Sequence, residues 1–208
     1  MRQILTFSRN EPPKRYAVRA SEVMRDTERL LRVTLPPAIE LQVDAPSELP
    51  HMLADPTQVE QALFNLTTNA VHAIGDNRGL VRMEATLSMS EQRLCERLGL
   101  SLGDYIAITV QDNGPGMSPE TLQRIFEPFF TTKPVGQGTG LGLAVVHGVM
   151  RTHGGAVDVT SKLGQGSAFT LYFPVNLLAS TPTVPPPRFA TSHICTLPPA
   201  HAAAAVQE

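Results

Sequence analysis

The segment "DPTQVEQALFNLTTNAVHAIG" (55–75) constrains the fold more than any other part of the chain. It opens with a strong helix start: Asp55 at the N-cap, Pro56 at the first helical position and Gln58 at the third. Gly75 ends it. At about 100° per residue, Val59, Leu63, Leu66, Ala70 and Ile74 share one side, while Gln61, Asn65, Asn69 and His72 fall within roughly 80° of arc on another. One face therefore packs a core. The other is unusual, because no residue from Gln61 to Gly75 carries a formal charge and asparagine is a poor helix-interior residue whose amide competes for backbone groups. Amide oxygens are hard, neutral ligands suited to Mg²⁺, which keeps several waters and takes few protein ligands when it also bridges phosphates. Taken alone, a polar face that merely lacks charge gives the same pattern.

With 208 residues, 42% of them hydrophobic, the chain can fill one core of about 100–200 residues plus appendages. A net charge of −2 argues against a nucleic-acid surface or a polybasic membrane surface. No apolar run approaches the roughly 18 residues of a transmembrane helix, and "MRQILTFSRN" is too short in apolar character for a signal peptide. Cys95 and Cys195 are far apart and lack metal or redox spacing, which suits free thiols in a reducing cytoplasm.

Along the chain, residues 1–9 read as the last turns of an amphipathic helix, broken by "NEPPK". A second helix is predicted from about Val18 to Leu35, and a strand through Ile39, Leu41 and Val43. After the amide helix, Val81–Leu87 and Tyr105–Gln111 read as paired strands with a polar excursion between them. "TLQRIF" is a short helical piece and Leu141–Thr152 a helix closed by Gly154 and Gly155. "AVDVTS" and "SAFTLYFP" are two further strands around "KLGQG". From 177 to 208 the chain is rich in Pro and Ala and reads as a disordered tail.

Two glycine motifs add chemistry. "DNGPG" (112–116) follows a strand and suits a hairpin turn. It equally suits a site in which Asp112 accepts a hydrogen bond from an exocyclic amine, while Gly114 and Gly116 leave room for a flat ring. "GQGTGLGL" (136–143) runs from a long loop into a helix, where exposed backbone N–H groups bind phosphate and glycine permits close approach. Its spacing is neither that of a P-loop nor that of a dinucleotide fingerprint. Lys133, in the preceding loop, reads either as a solvated lysine or as a contact to a terminal phosphate. "GQGSAF" (164–169) suits a plain strand turn nearly as well as a site.

The order of these motifs is more specific than any one of them. "NLTTNAVHAI", "DNGPG", "FEPFF", "GTGLGL" and "GQGSAF" resemble the N box, first glycine box, F box, and second and third glycine boxes of the ATP-binding catalytic domain of sensor histidine kinases, within the wider group shared with gyrase, Hsp90 and MutL. The resemblance covers about residues 15–175. It implies a two-layer α/β sandwich with a mixed sheet and a mobile lid over ATP. It assigns Mg²⁺ to Asn69 with Asn65 beside it, adenine recognition to Asp112, and nucleotide contacts to His72, Gly114, Gly116, Phe126, Gly136, Gly138, Thr139, Gly140, Leu141 and Gly142. It places Asn65, Gln61 and Lys133 at the reacting phosphate.

Members of the group that hydrolyse ATP resemble one another in carrying a glutamate four residues before the metal-binding asparagine, as the base for water. Here that position is Asn65, and an amide takes no proton at neutral pH. The resemblance therefore implies phosphoryl transfer to a protein nucleophile, driven by positioning and charge neutralisation. The chain departs from the family pattern at His72, where many histidine kinases have Lys or Arg. Its six histidines are 51, 72, 147, 153, 193 and 201, none of them on an N-terminal helix beside an acidic residue. His153, in "THGG", resembles a core position of the family. The expected organisation is the end of a dimerisation-hairpin helix and linker (1–14), a kinase domain (15–176) and the tail (177–208). The expected partners are an acceptor hairpin, in trans or in a longer parent chain, and a response-regulator receiver domain. A cytoplasmic kinase half, truncated or orphan, is one expectation. A catalytically silent, ATP-responsive module that docks a partner helix is the other.

Overall fold

The computed structural model describes residues 14–89, 91–133 and 138–176. The expectations for residues 1–9, for the tail, for Cys195 and for Gly136 lie outside the described residues. Elements follow in the order β1 (Tyr16–Val18), α1 (Ala20–Thr34), β2 (Ile39–Asp44), β3 (Met52–Ala54), α2 (Pro56–Ile74), β4 (Gly79–Met89), α3 (Gln92–Leu98), β5 (Asp104–Asp112), α4 (Pro119–Arg124), α5 (Gly142–Thr152), β6 (Ala156–Lys162) and β7 (Gly166–Pro174).

Five strands form one sheet in the order β2-β4-β5-β7-β6. β2 runs parallel to β4, and every other pair is antiparallel. The mixed sheet packed by helices is the two-layer α/β sandwich expected from the sequence. β1 and β3 pair antiparallel as a small separate ribbon, joined to the main sheet by a bridge from Met52 to Val175.

Strand alternation decides which residues meet the helices. Val81, Met83 and Ala85 on β4, Ile106, Ile108 and Val110 on β5, and Phe169, Leu171 and Phe173 on β7 are all buried in one cluster. Val59, Leu63, Leu66, Ala70 and Ile74 of α2 join them from the helical layer, as do Val146, Val149 and Met150 of α5. Each such aliphatic or aromatic side chain contributes about 1.5–3 kcal/mol on full burial, which is what fixes α2 with its amides turned the other way.

The same parity positions the functional end of the sheet. Asp112 follows Val110 by two residues and pairs with Ser167, which precedes Phe169 by two. Both therefore point into the helical layer where a core residue would otherwise sit. Asp112 is 5% exposed and Ser167 8%.

The excursion between β4 and β5 contains a helix, α3, that was not singled out in the sequence. Gly99 ends it in the left-handed region at φ 66°. Arg97 donates two hydrogen bonds to the Asp158 carboxylate, at 2.7 and 2.8 Å. Asp158 lies between the inward-facing Val157 and Val159, so α3 reaches the face of the sheet opposite the core helices. Among the described residues, no helix is long and apolar enough to cross a membrane.

Candidate functional site

α2 is capped as its sequence indicates: Asp55 Oδ1 accepts from the N–H groups of Thr57 and Gln58, at 3.0 and 3.4 Å. Burial of its apolar side then sets Asn65, Thr68, Asn69 and His72 against a cavity of about 480 Å³. The opposite wall is the start of α5. Leu141 occupies its N-cap and makes no side-chain capping bond, so the first N–H groups of α5 are left for a ligand. A Cβ placed on Gly142 would lie 3.6 Å from Asn69 Nδ2 and 3.9 Å from Asn65 Cγ, so the amide row and the helix start face one another at close range.

The floor is polar at one point and apolar elsewhere. Asp112 lines the cavity, and its Oδ1 accepts from Gly114 N–H at 2.8 Å. Burial pushes its carboxyl up from the ordinary value, while backbone N–H groups of Gly114 and Ser167 pull it down. Phe64, Met117, Ile125 and Phe169 supply apolar wall around it. A flat heterocycle with an amine edge fits such surroundings.

Two glycines are required by backbone geometry. Gly116 (φ 69°) packs so closely that a Cβ would strike the Lys162 carbonyl. Gly140 (φ 64°) would strike the Phe129 backbone, and its own carbonyl accepts from Phe129 N–H at 2.9 Å. Phe129 itself has φ 68°, a conformation uncommon for a residue with a side chain. Paired bends at 129 and 140 thus form the base of the loop that carries Lys133.

Lys133 and His72 both line the cavity. Burial lowers the pKa of His72, and the charge of Lys133 lowers it further. Burial likewise lowers the pKa of Lys133. The Lys133 ammonium and the His72 imidazole thus line the same cavity as the amides.

Asn65, Asn69, His72, Asp112, Gly116, Lys133, Gly138, Thr139, Gly140 and Gly142 all line this one cavity. Gln61, Gly114, Phe126 and Leu141 are not among the lining residues. Gln61 is half-buried one turn before Asn65. Gly114 orients Asp112 through its N–H. The Phe126 ring lies against His147 with centroids 5.3 Å apart. The lining also includes Thr68, Phe130, Ser167 and Phe169, which fall within "NLTTNAVHAI", "FEPFF" and "GQGSAF" without having been assigned a role, and Phe64, Met117, Thr121 and Ile125, which lie outside those motifs. Phe64 and Thr68 flank the amide stripe on the helical wheel, and Ser167 has Asp112's strand parity, so a wider arc and strand pairing would have found them.

Residues 54–177 match the family described as histidine kinase-, DNA gyrase B- and HSP90-like ATPase. The sensor kinase CckA of Brucella abortus is 34% identical over 174 residues, covering 84% of this chain and 18% of CckA. The sensor histidine kinase ZraS of Escherichia coli is 41% identical over 144 residues, covering 69% of this chain and 27% of ZraS. The chain thus spans about a fifth to a quarter of these relatives. Among solved structures, full-length ShkA in complex with AMPPNP superposes with a TM-score of 0.63 at 30% identity, over 79% of this chain and 32% of ShkA. The catalytic domain of histidine kinase ThkA, nucleotide-free, gives 0.62 at 26% identity, over 78% of this chain and 96% of that domain. The ordered motifs, the mixed sheet and the amide-lined cavity meet in one place, and the chain belongs to the family of histidine kinase, gyrase B and HSP90-like ATPases, as a catalytic ATP-binding domain of the sensor histidine kinase type.

Proposed function

We propose that this domain binds Mg-ATP in the cavity between α2 and α5 and donates the γ-phosphoryl group to a histidine on a dimerisation hairpin, present in trans or in a longer parent chain. The observation that carries this is the pairing of Asn65 and Asn69 opposite the uncapped start of α5. The donor set fits a magnesium ion: amide oxygens are hard and neutral, and the phosphate oxygens of a bound nucleotide would supply further ligands. Asn69 would hold the ion with Asn65 beside it, and the ion would neutralise charge on the phosphates. α5 N–H groups bind phosphate oxygen, Lys133 meets the terminal phosphate, and Asp112 accepts from the adenine amine. No carboxylate occupies position 65 to take a proton from water, which favours transfer over hydrolysis.

The kinase domain spans 15–176 in this proposal, and the segment before it joins the acceptor hairpin. A receiver domain of a response regulator takes the phosphoryl group next, and the setting is cytoplasmic. The test is a phosphotransfer assay with γ-labelled ATP and a supplied acceptor hairpin. Label on the hairpin histidine is expected, with slow release of free phosphate. An unlabelled hairpin with nucleotide binding intact would leave a binding module that docks a partner helix without chemistry.

A further inference from the structure

α2 and α5 lie antiparallel. Gly142, at the start of α5, faces the Asn65–Asn69 end of α2, while His153, just past the end of α5, meets the start of α2 through Asp55. α5 is 11 residues long, or about 16 Å at 1.5 Å per residue. One end forms the nucleotide wall and the other is fixed by an imidazole.

The proton placement on that imidazole is determined. The backbone N–H of Asp55 points at His153 Nε2 at 3.0 Å. Nε2 must therefore be the acceptor and carry no proton. Nδ1 then holds the proton and donates it to the Val149 carbonyl at 2.7 Å. The ring is 2% exposed and sits edge-on to Phe173, with centroids 5.7 Å apart. Only the neutral tautomer satisfies both bonds. The imidazolium would present an N–H to another N–H in a site closed to water.

Other bonds converge on the same junction. Asp55 Oδ2 accepts from Lys14 N–H at 3.0 Å, where the chain enters the domain. Arg15 donates to the Thr152 carbonyl at 3.1 Å. The charged groups that act on the ring are the Asp55 carboxylate, which favours a second proton, and Arg15, which opposes it. From α5 and β7 the facing groups are the Val149 carbonyl, the Thr152 hydroxyl (3.4 Å from Nδ1) and the Phe173 ring, none of them charged.

We propose that His153 is a positioning residue, a neutral latch that holds the far end of α5 against the start of α2 and so fixes how the near end of α5 sits against the amide row, so that protonation of this one ring loosens the nucleotide site. Burial lowers its pKa from the ordinary histidine value, with Arg15 adding to this and the Val149 bond and Asp55 opposing it. For a histidine depressed in the folded state, the stabilising contribution is complete above the unfolded value of about 6.5 and is lost as pH falls through the folded value. The latch is thus closed at neutral pH and opens on acidification.

The inference rests on the nucleotide assignment above, and linkage supplies a test that separates the two. If nucleotide favours the latched form, nucleotide must lower the pKa of His153 by the same free energy. The ring is titrated by NMR in the wild-type domain with and without a magnesium-bound, non-hydrolysable ATP analogue. A pKa lower by about 0.5 or more in the complex is expected, equal to a roughly threefold affinity ratio between the two forms. An unmoved pKa with analogue bound overturns the latch alone. Failure of the analogue to bind at pH 7.5 removes the nucleotide assignment and the latch with it. The variant His153→Gln keeps an acceptor for Asp55 N–H without a titrating group. The ratio of wild-type to H153Q dissociation constants is expected to rise as pH falls from 7.5 to 5.5, with His72 common to both proteins. A ratio independent of pH overturns the latch.

Discussion

Replacement of Asp112 by asparagine changes one heavy atom at the floor of the cavity and separates its bond to Gly114 N–H from the proposed bond to the adenine amine. The carboxylate can accept from Gly114 N–H through Oδ1 (2.8 Å) and still offer an oxygen to the cavity. The amide has a single oxygen. If that oxygen keeps Gly114, the NH₂ group confronts the adenine amine, donor against donor. If it turns to the ligand, the NH₂ confronts Gly114 N–H in a buried site. Either way one hydrogen bond to a charged group is lost, worth ~1.5–3 kcal/mol, which corresponds to roughly 10- to 150-fold weaker binding. The unliganded fold should not suffer. Burial raises the Asp112 pKa, so its stabilising contribution is present below the unfolded value and lost as pH rises through the folded one. At pH 7 the neutral amide therefore relieves a desolvation penalty rather than adding one. Calorimetry with Mg-ATP and thermal melts of both proteins at pH 7 measure the two quantities. A D112N domain that melts like wild type and binds within threefold of it would refute the adenine assignment.

Three further substitutions probe separate parts of the molecule. Asn69→Ala is expected to weaken Mg-ATP by at least tenfold more than metal-free ADP, measured by calorimetry with and without chelator; equal loss for both contradicts the metal role. Gly140→Ala forces a Cβ into the Phe129 backbone at φ 64°, and a strain of about 1–3 kcal/mol should appear as a lower urea midpoint with unchanged slope; an unchanged midpoint contradicts the requirement for glycine there. Arg97→Ala removes the bond that holds the Asp158 carboxyl below its ordinary value; stability that wild type keeps above pH 4 and loses on further acidification should be smaller in the variant, and identical acid-unfolding curves contradict this.

Much of the site was legible because its parts are local. The cap at Asp55, the period of α2 and the amide stripe depend on residues a few positions apart, and burial of Val59, Leu63 and Leu66 then leaves Asn65 and Asn69 only one direction to face. β1 and β3 were not legible, since three residues cannot display alternation and each exists only through the other. α3 carries a readable stop in Gly99, but the polar composition of its surroundings masks a short helix held by Arg97 and Asp158, 61 positions apart. Ser167 and Phe169 fall within "GQGSAF", but only the strand pairing with β5 shows that these two of its residues face the cavity. The same limit applies to His153: "THGG" marks a helix end, while its bond to Asp55 spans 98 positions.

The most direct test of the central claim is a crystal structure of the domain soaked with magnesium and a non-hydrolysable ATP analogue. The expected result is a metal at the Asn69 amide oxygen, phosphate oxygens on the first N–H groups of α5, and the adenine amine on Asp112. Phosphates found away from the amide row, with Asn65 and Asn69 engaged only by protein groups, would contradict it.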